Sequence, residues 1–95
     1  MKTREEAFSL LNEYTKSESL LKHSLAVEAA MLWYARFYKQ DTEEQLRWGI
    51  CGLLHDFDYE KYPSTEDHPY KGNQILKELN YSDDICNAIM GHATY

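Results

Sequence analysis

The chain has four histidines, His23, His55, His68 and His92, and one of them is followed directly by an aspartate, Asp56. Neutral imidazole and carboxylate are both ligands for divalent metals. Neighbouring residues in mid-helix point about 100° apart, so an adjacent pair rarely faces one spot. At a helix end that constraint relaxes, and His55 and Asp56 can converge. Burying a carboxylate there needs compensation. A divalent cation supplies it. The bland alternative is that Asp56 caps the next turn while His55 and His23 are ordinary core histidines.

The elements that must position these residues read as helices. Thr3-Arg4-Glu5-Glu6 is a capping box. Ala7, Leu10, Leu11 and Tyr14 then recur at helical spacing, so a first helix runs to about Tyr14. Ser17 or Ser19 caps a second, long helix that reaches about Tyr38. One row on it is Leu20, Ser24, Val27, Met31, Tyr34 and Tyr38; the adjoining row is His23, Val27, Ala30, Tyr34 and Phe37. His23 therefore lies near the inner face, with Lys22 and Glu28 flanking it.

Asp41 or Thr42 starts a third helix, and Thr42-Glu43-Glu44-Gln45 is again a capping-box pattern. Leu46, Ile50, Leu53 and Leu54 bury one side of it. Gly49 and Gly52 each cost about 1 kcal/mol relative to Ala in a helix. Their spacing suggests close approach of another helix, the one carrying His23. This third helix ends at His55-Asp56.

Phe57 to Asp67 reads as a loop rich in Asp, Glu, Tyr and Pro, placed to contact a substrate or merely to connect. His68-Pro69 puts His68 at or next to an N-cap. A fourth helix follows over Tyr70–Leu79, with Gly72, Ile75, Leu76 and Leu79 inside and Asn80 ending it in a left-handed conformation. Ser82 caps a fifth helix, with Asp83 and Asp84 in its first turn. Ile85, Ile89 and His92 share its inner face. No strand pattern or repeat interrupts this. The expected fold is all-α, a compact bundle of about five helices forming one domain over residues 1–95.

Composition narrows the function classes. The net charge is −6 and the basic residues do not cluster, which argues against a nucleic-acid polymer as partner. A small phosphorylated substrate remains compatible, because a bound cation reverses the local field. No apolar run spans a membrane. The charged N-terminus lacks the apolar core of a signal peptide, so a cytoplasmic location is expected. Cys51 and Cys86 lack metal-site spacing and read as reduced core thiols.

Single histidines on several helices, together with an adjacent His-Asp, resemble the HD superfamily of metal-dependent phosphohydrolases, most closely its small stand-alone bacterial members. The resemblance rests on Leu21-Lys22-His23-Ser24-Leu25-Ala26-Val27, on Gly52-Leu53-Leu54-His55-Asp56-Phe57-Asp58-Tyr59-Glu60, and on His68-Pro69-Tyr70-Lys71-Gly72 with Ile89-Met90-Gly91-His92-Ala93. It covers nearly the whole chain and implies an all-α fold.

The resemblance also implies roles. His23, His55 and Asp56 match three of the four ligands of the family's first metal site, with Asp56 the residue that bridges two metals in binuclear members. His68 and His92 match histidines that bind a second metal or contact the substrate phosphate. Asp56, His68 and His92 are thus the expected catalytic residues. The implied cofactor is one or two divalent ions, Mn, Fe, Ni or Mg. The implied reaction is attack of metal-activated water on a nucleotide or other small phosphate ester. Lys71, three residues after His68, and Lys22, beside His23, are candidate phosphate contacts or solvated surface lysines. Tyr59, Tyr62 and Tyr70 could stack a base or cover the core.

The family's fourth ligand, an aspartate on a later helix, has no counterpart, so the sequence reads as the N-terminal part of a longer HD domain or as a chain completed by a partner. Asp58 or Asp67 could substitute without matching the motif. Where many members have Ile-Gly after His-Asp, this chain has Phe57-Asp58, which leaves the substrate open. Two alternatives follow. One is a degenerate bundle that acts as a non-catalytic interaction module, with homodimerisation or helix exchange through an uncovered C-terminal face. The other is a di-iron oxygenase built on the same ligands.

Overall fold

A computed structural model describes residues 3–64, 68 and 70–91. Among them the chain forms five α-helices and no strand: α1 (Arg4–Tyr14), α2 (Glu18–Phe37), α3 (Thr42–Leu54), α4 (Tyr70–Glu78) and α5 (Asp83–Gly91). The all-α expectation holds. None of these helices is long and apolar enough to cross a membrane.

The helix boundaries follow from local chemistry. Thr3 and Glu6 close the capping box of α1: the Glu6 N–H donates to Thr3 Oγ1, and the Thr3 N–H donates to Glu6 Oε1. Ser17 caps α2. Asp41 caps α3 by accepting from the Glu44 N–H at 2.8 Å, so the box pattern starting at Thr42 is not the cap in use. Lys39 and Asn80, at φ 59° and 66°, end α2 and α4 in the left-handed conformation. In both cases the next residue's N–H closes back onto the helix, Gln40 to Ala35 and Tyr81 to Leu76, each at 2.9 Å.

The core is built around α3. Ala7, Leu10 and Leu11 of α1 meet Ile50, Leu53 and Leu54 of α3, and Phe57, Leu76, Tyr81, Ile85, Cys86 and Ile89 complete the cluster. Cys51 and Cys86 are free thiols, and burial pushes both pKa values up, as expected of core cysteines. Leu79, expected inside, is exposed. It lies in the turn beyond the last buried residue of α4, and Tyr81 takes the inward place after the chain reverses at Asn80.

The second helix packs differently from the periodic expectation. Its buried residues are Ser24, Glu28 and Ala35, whereas Tyr34, Phe37, Tyr38 and Ala30 are exposed. The glycines of α3 explain this. A Cβ on Gly52 would lie 2.9 Å from the Val27 carbonyl oxygen and 3.1 Å from Glu28 Cα, and one on Gly49 would lie 3.1 Å from Leu32 Cδ2. In this seam the α2 backbone comes close at Gly52, Met31 and Leu32 lie against the two glycines, and the aromatic side chains are left outside. Glu28, expected to flank the face, is buried in it. Its carboxylate accepts from Arg4 Nε and Nη2, both at 3.0 Å, which ties α1 to α2.

The two glycines should therefore respond differently to a methyl group. Gly52→Ala forces backbone apart and should cost a net ~1–2 kcal/mol, even after the ~1 kcal/mol gained in helix propensity. Gly49→Ala meets only a flexible leucine end and should stay within about 0.5 kcal/mol of the parent. Urea midpoints measure both, and an unshifted Gly52→Ala midpoint would contradict the close seam.

Candidate metal centre

The end of α3 and the middle of α2 bring the site together. His55 is the C-cap of α3 and keeps helical backbone angles. The chain then turns, and Asp56 points back to the same place. His23 comes across the Gly52 seam from α2. Its Nε2 lies 3.2 Å from His55 Nε2 and 3.5 Å from Asp56 Oδ2. His55 Nε2 lies 3.0 Å from that same carboxylate oxygen. One ligating atom from each of His23, His55 and Asp56 falls within 4.8 Å of the others.

The other carboxylate oxygen faces elsewhere. Asp56 Oδ1 lies 3.1 Å from Nε2 of His68, a residue just ahead of α4. Asp56 thus divides its oxygens, Oδ2 toward the His23–His55 pair and Oδ1 toward His68. The side chains grade from open to closed: His23 is 51% accessible, Asp56 24%, His55 14% and His68 8%.

Hydrogen bonds on the far sides of the rings fix which nitrogens face inward. His55 Nδ1 lies 2.7 Å from the Gly52 carbonyl oxygen, which can only accept, so Nδ1–H donates. In the neutral ring Nε2 then presents a lone pair to Asp56 and His23. Burial disfavours a charged His55 ring, but the hydrogen bonds to Asp56 and to the Gly52 carbonyl, with the Asp56 charge, outweigh it and raise the pKa above its ordinary 6.5. Two imidazoles and a carboxylate with facing lone pairs repel one another unless a proton or a cation lies among them. As a donor set they suit Mn²⁺, Fe²⁺ or Ni²⁺. The residues present therefore fit a divalent ion.

The loop after Asp56 is tied to its neighbours by hydrogen bonds and ring contacts. Thr15 Oγ1 donates to the Phe57 carbonyl at 3.0 Å. The Glu60 carboxylate accepts the Lys16 and Ser17 N–H groups, both at 2.7 Å, at the start of α2. Phe57 is buried, with its ring edge-on to Tyr14 at 5.3 Å. Tyr59 stands edge-on to His68, with ring centroids 5.5 Å apart.

His23, His55, Asp56 and His68 are thus brought together as the sequence leads one to expect. His92 lies outside the described residues, as does Asp67. Lys71 is exposed on the first turn of α4, and Lys22 is exposed and paired with Glu18 at 3.1 Å. Asp58 does not join the ligand group as a substitute. Its carboxylate instead sits behind His68, 2.6 Å from Nδ1. Sequence reasoning missed this role. The available signal was Gly72, whose position leaves room for no side chain beside that carboxylate.

A model of the HD domain matches residues 20–95 of the chain. Comparison with curated proteins and with solved structures finds no match.

Because His23 is half exposed, His23→Ala should leave metal-free stability within about 0.5 kcal/mol of the parent. Mn²⁺ at about 100 times its Kd should stabilise the parent by ~2.7 kcal/mol. That gain should vanish in Asp56→Ala and shrink in His23→Ala. Thermal melts with and without Mn²⁺ check this, and an equal Mn²⁺ effect in all three proteins would place the ion elsewhere.

Proposed function

The chain belongs to the HD domain family, and on that premise we propose that it is a metal-dependent phosphohydrolase acting on a nucleotide or another small phosphate ester. The observation that carries this reading is the divided carboxylate of Asp56, with two histidines on one oxygen and a third on the other. His23, His55 and Asp56 would hold a divalent ion. Such an ion lowers the pKa of water toward ~7 and neutralises phosphoryl oxygens.

The protein's own groups supply the rest. Asp56 would share a bound ion with the histidines on both sides of itself and offset part of its charge. His68 directs Nε2 toward the same centre from a buried position, where it can meet a second ion or a phosphoryl oxygen. The exposed His23 side is the way in for substrate. We assign Lys71, beyond His68, and Lys22, beside His23, to the substrate phosphate; Lys22 would exchange its Glu18 partner for it.

A second reading, an interaction module, has one observation in its favour. Trp33, Tyr34, Phe37 and Tyr38 form an exposed aromatic row on α2, with Trp33 stacked on Phe37 at 5.3 Å. Contiguous apolar surface of this kind marks contact sites. Self-association through it would show as a dimer in sedimentation velocity, and Phe37→Glu would abolish that dimer.

For hydrolysis, phosphate release should be measured from a panel of nucleotides with Mn²⁺ present. Activity should disappear with chelator and return with the metal. Asp56→Ala should lower kcat/KM by at least about 10³-fold, or ~4 kcal/mol. Parent-like activity in Asp56→Ala would mean that the hydrolysis does not come from this site.

A further inference from the structure

Asp58 is two residues beyond the His-Asp pair and is 1% exposed. A buried carboxylate needs strong donors around it. Two are present. Asp58 Oδ1 lies 2.6 Å from His68 Nδ1, and Asp58 Oδ2 accepts the Gly72 N–H, in the first turn of α4, at 2.9 Å. Gly72 is what lets this carboxylate approach: a Cβ there would lie 2.7 Å from Asp58 Cγ and 2.8 Å from Oδ2. Tyr59 packs edge-on against the imidazole.

A carboxylate accepts and cannot donate. Asp56, like Asp58, only accepts, so a ring with one proton can serve only one of the two carboxylates; the Asp58 contact is the shorter, 2.6 Å against 3.1 Å, and the more buried, which puts the proton on Nδ1. In the neutral ring Nε2 is then left as the lone-pair end, and Nε2 is the atom 3.1 Å from Asp56 Oδ1. The logic repeats that at His55, whose Nδ1–H is held by the Gly52 carbonyl. Both rings are held from behind by an acceptor so that Nε2 faces Asp56.

We infer that Asp58 is a positioning residue, which fixes the tautomer and orientation of His68 so that its Nε2 lone pair is presented at the Asp56 side of the metal centre. Asp58 touches neither metal nor substrate and acts through His68 alone. The inference extends the proposed function, since the use of that lone pair rests on a cation being bound at Asp56. The tautomer itself does not depend on that reading.

Asp58→Asn is nearly isosteric and tests the inference. The Gly72 N–H requires an acceptor, so the new carbonyl oxygen faces Gly72 and the new NH₂ faces His68. An NH₂ can only donate. His68 Nδ1 must then become the lone-pair nitrogen, and the proton moves to Nε2, where it blocks ligation and points at Asp56. The experiment is ¹⁵N NMR of the His68 ring in the metal-free full chain, at a pH where the ring is neutral, in parent and variant.

The expected result is Nδ1–H in the parent and Nε2–H in Asp58→Asn. With Mn²⁺ and substrate, kcat should fall about 10–100-fold in the variant, the usual range for losing such a supporting partner. Should Asp58→Asn not fold, Gly72→Ala gives the same test, because its methyl group must displace the Asp58 carboxylate and release His68 from Nδ1–H. An Nε2–H ring in the parent, a ring protonated on both nitrogens wherever the protein is folded, or Nδ1–H retained in the folded variant would each overturn the inference. A parent that binds no Mn²⁺ yet shows the tautomer exchange would instead remove the proposed function and leave the role of Asp58 intact.

Discussion

The approach of α2 to α3 at Gly52 is the constraint on which the site depends. The apolar core gathers residues from α1, α3, α4 and α5 and the segments between them, and α2 contributes none of its fully buried members. What seats α2 is its approach to two glycines, with Leu32 against Gly49 and Met31, Val27 and Glu28 against Gly52, and the Arg4–Glu28 pair at one side. His23 rides on that helix. Without the seam it could not come within 3.2 Å of His55. Two unfavourable helix residues are thus exchanged for a short distance between backbones, which is what a ligand set split across two helices requires.

A second constraint is the order of acceptors behind the rings. Gly52 serves twice: its missing side chain admits α2, and its carbonyl holds the Nδ1 of His55. Gly72 and Asp58 form a similar unit at His68. The outer ring nitrogens of His55 and His68 are therefore each held by an acceptor, and the inner ones face Asp56. Outer partners of this kind set both the tautomer and the basicity of a ligating histidine.

Much of this was legible in the sequence. The capping box at Thr3, the cap at Ser17, the left-handed turn at Asn80 and the end of α3 at His55 all follow from local chemistry, which short segments express by themselves. The glycine pair predicted a close neighbour, and His23 is on that neighbour. The buried face of α2 was not legible. Helical periodicity assumes that large apolar residues face inward, but here Met31 and Leu32 take the places against the glycines while Tyr34 and Phe37 stay exposed, and Glu28 goes inside because Arg4, 24 positions earlier, reaches it. The role of Asp58 was hidden for a similar reason. Its meaning depends on Gly72, 14 residues later, and no local pattern connects the two.

The grip of Glu60 on the Lys16 and Ser17 amides has a wider consequence. Chain connectivity leads from α3 through His55 and Asp56 to Glu60, and the carboxylate carries the path across to the base of α2. The seam then returns it to α3 at Gly52. His23 and the His55–Asp56 pair sit on opposite arms of this closed circuit. A circuit of that kind couples its parts, so displacing the Glu60 carboxylate loosens the first turn of α2, which leads to His23. The spacing of His23 from the His55–Asp56 pair is accordingly set in part by Glu60, a residue outside the donor set.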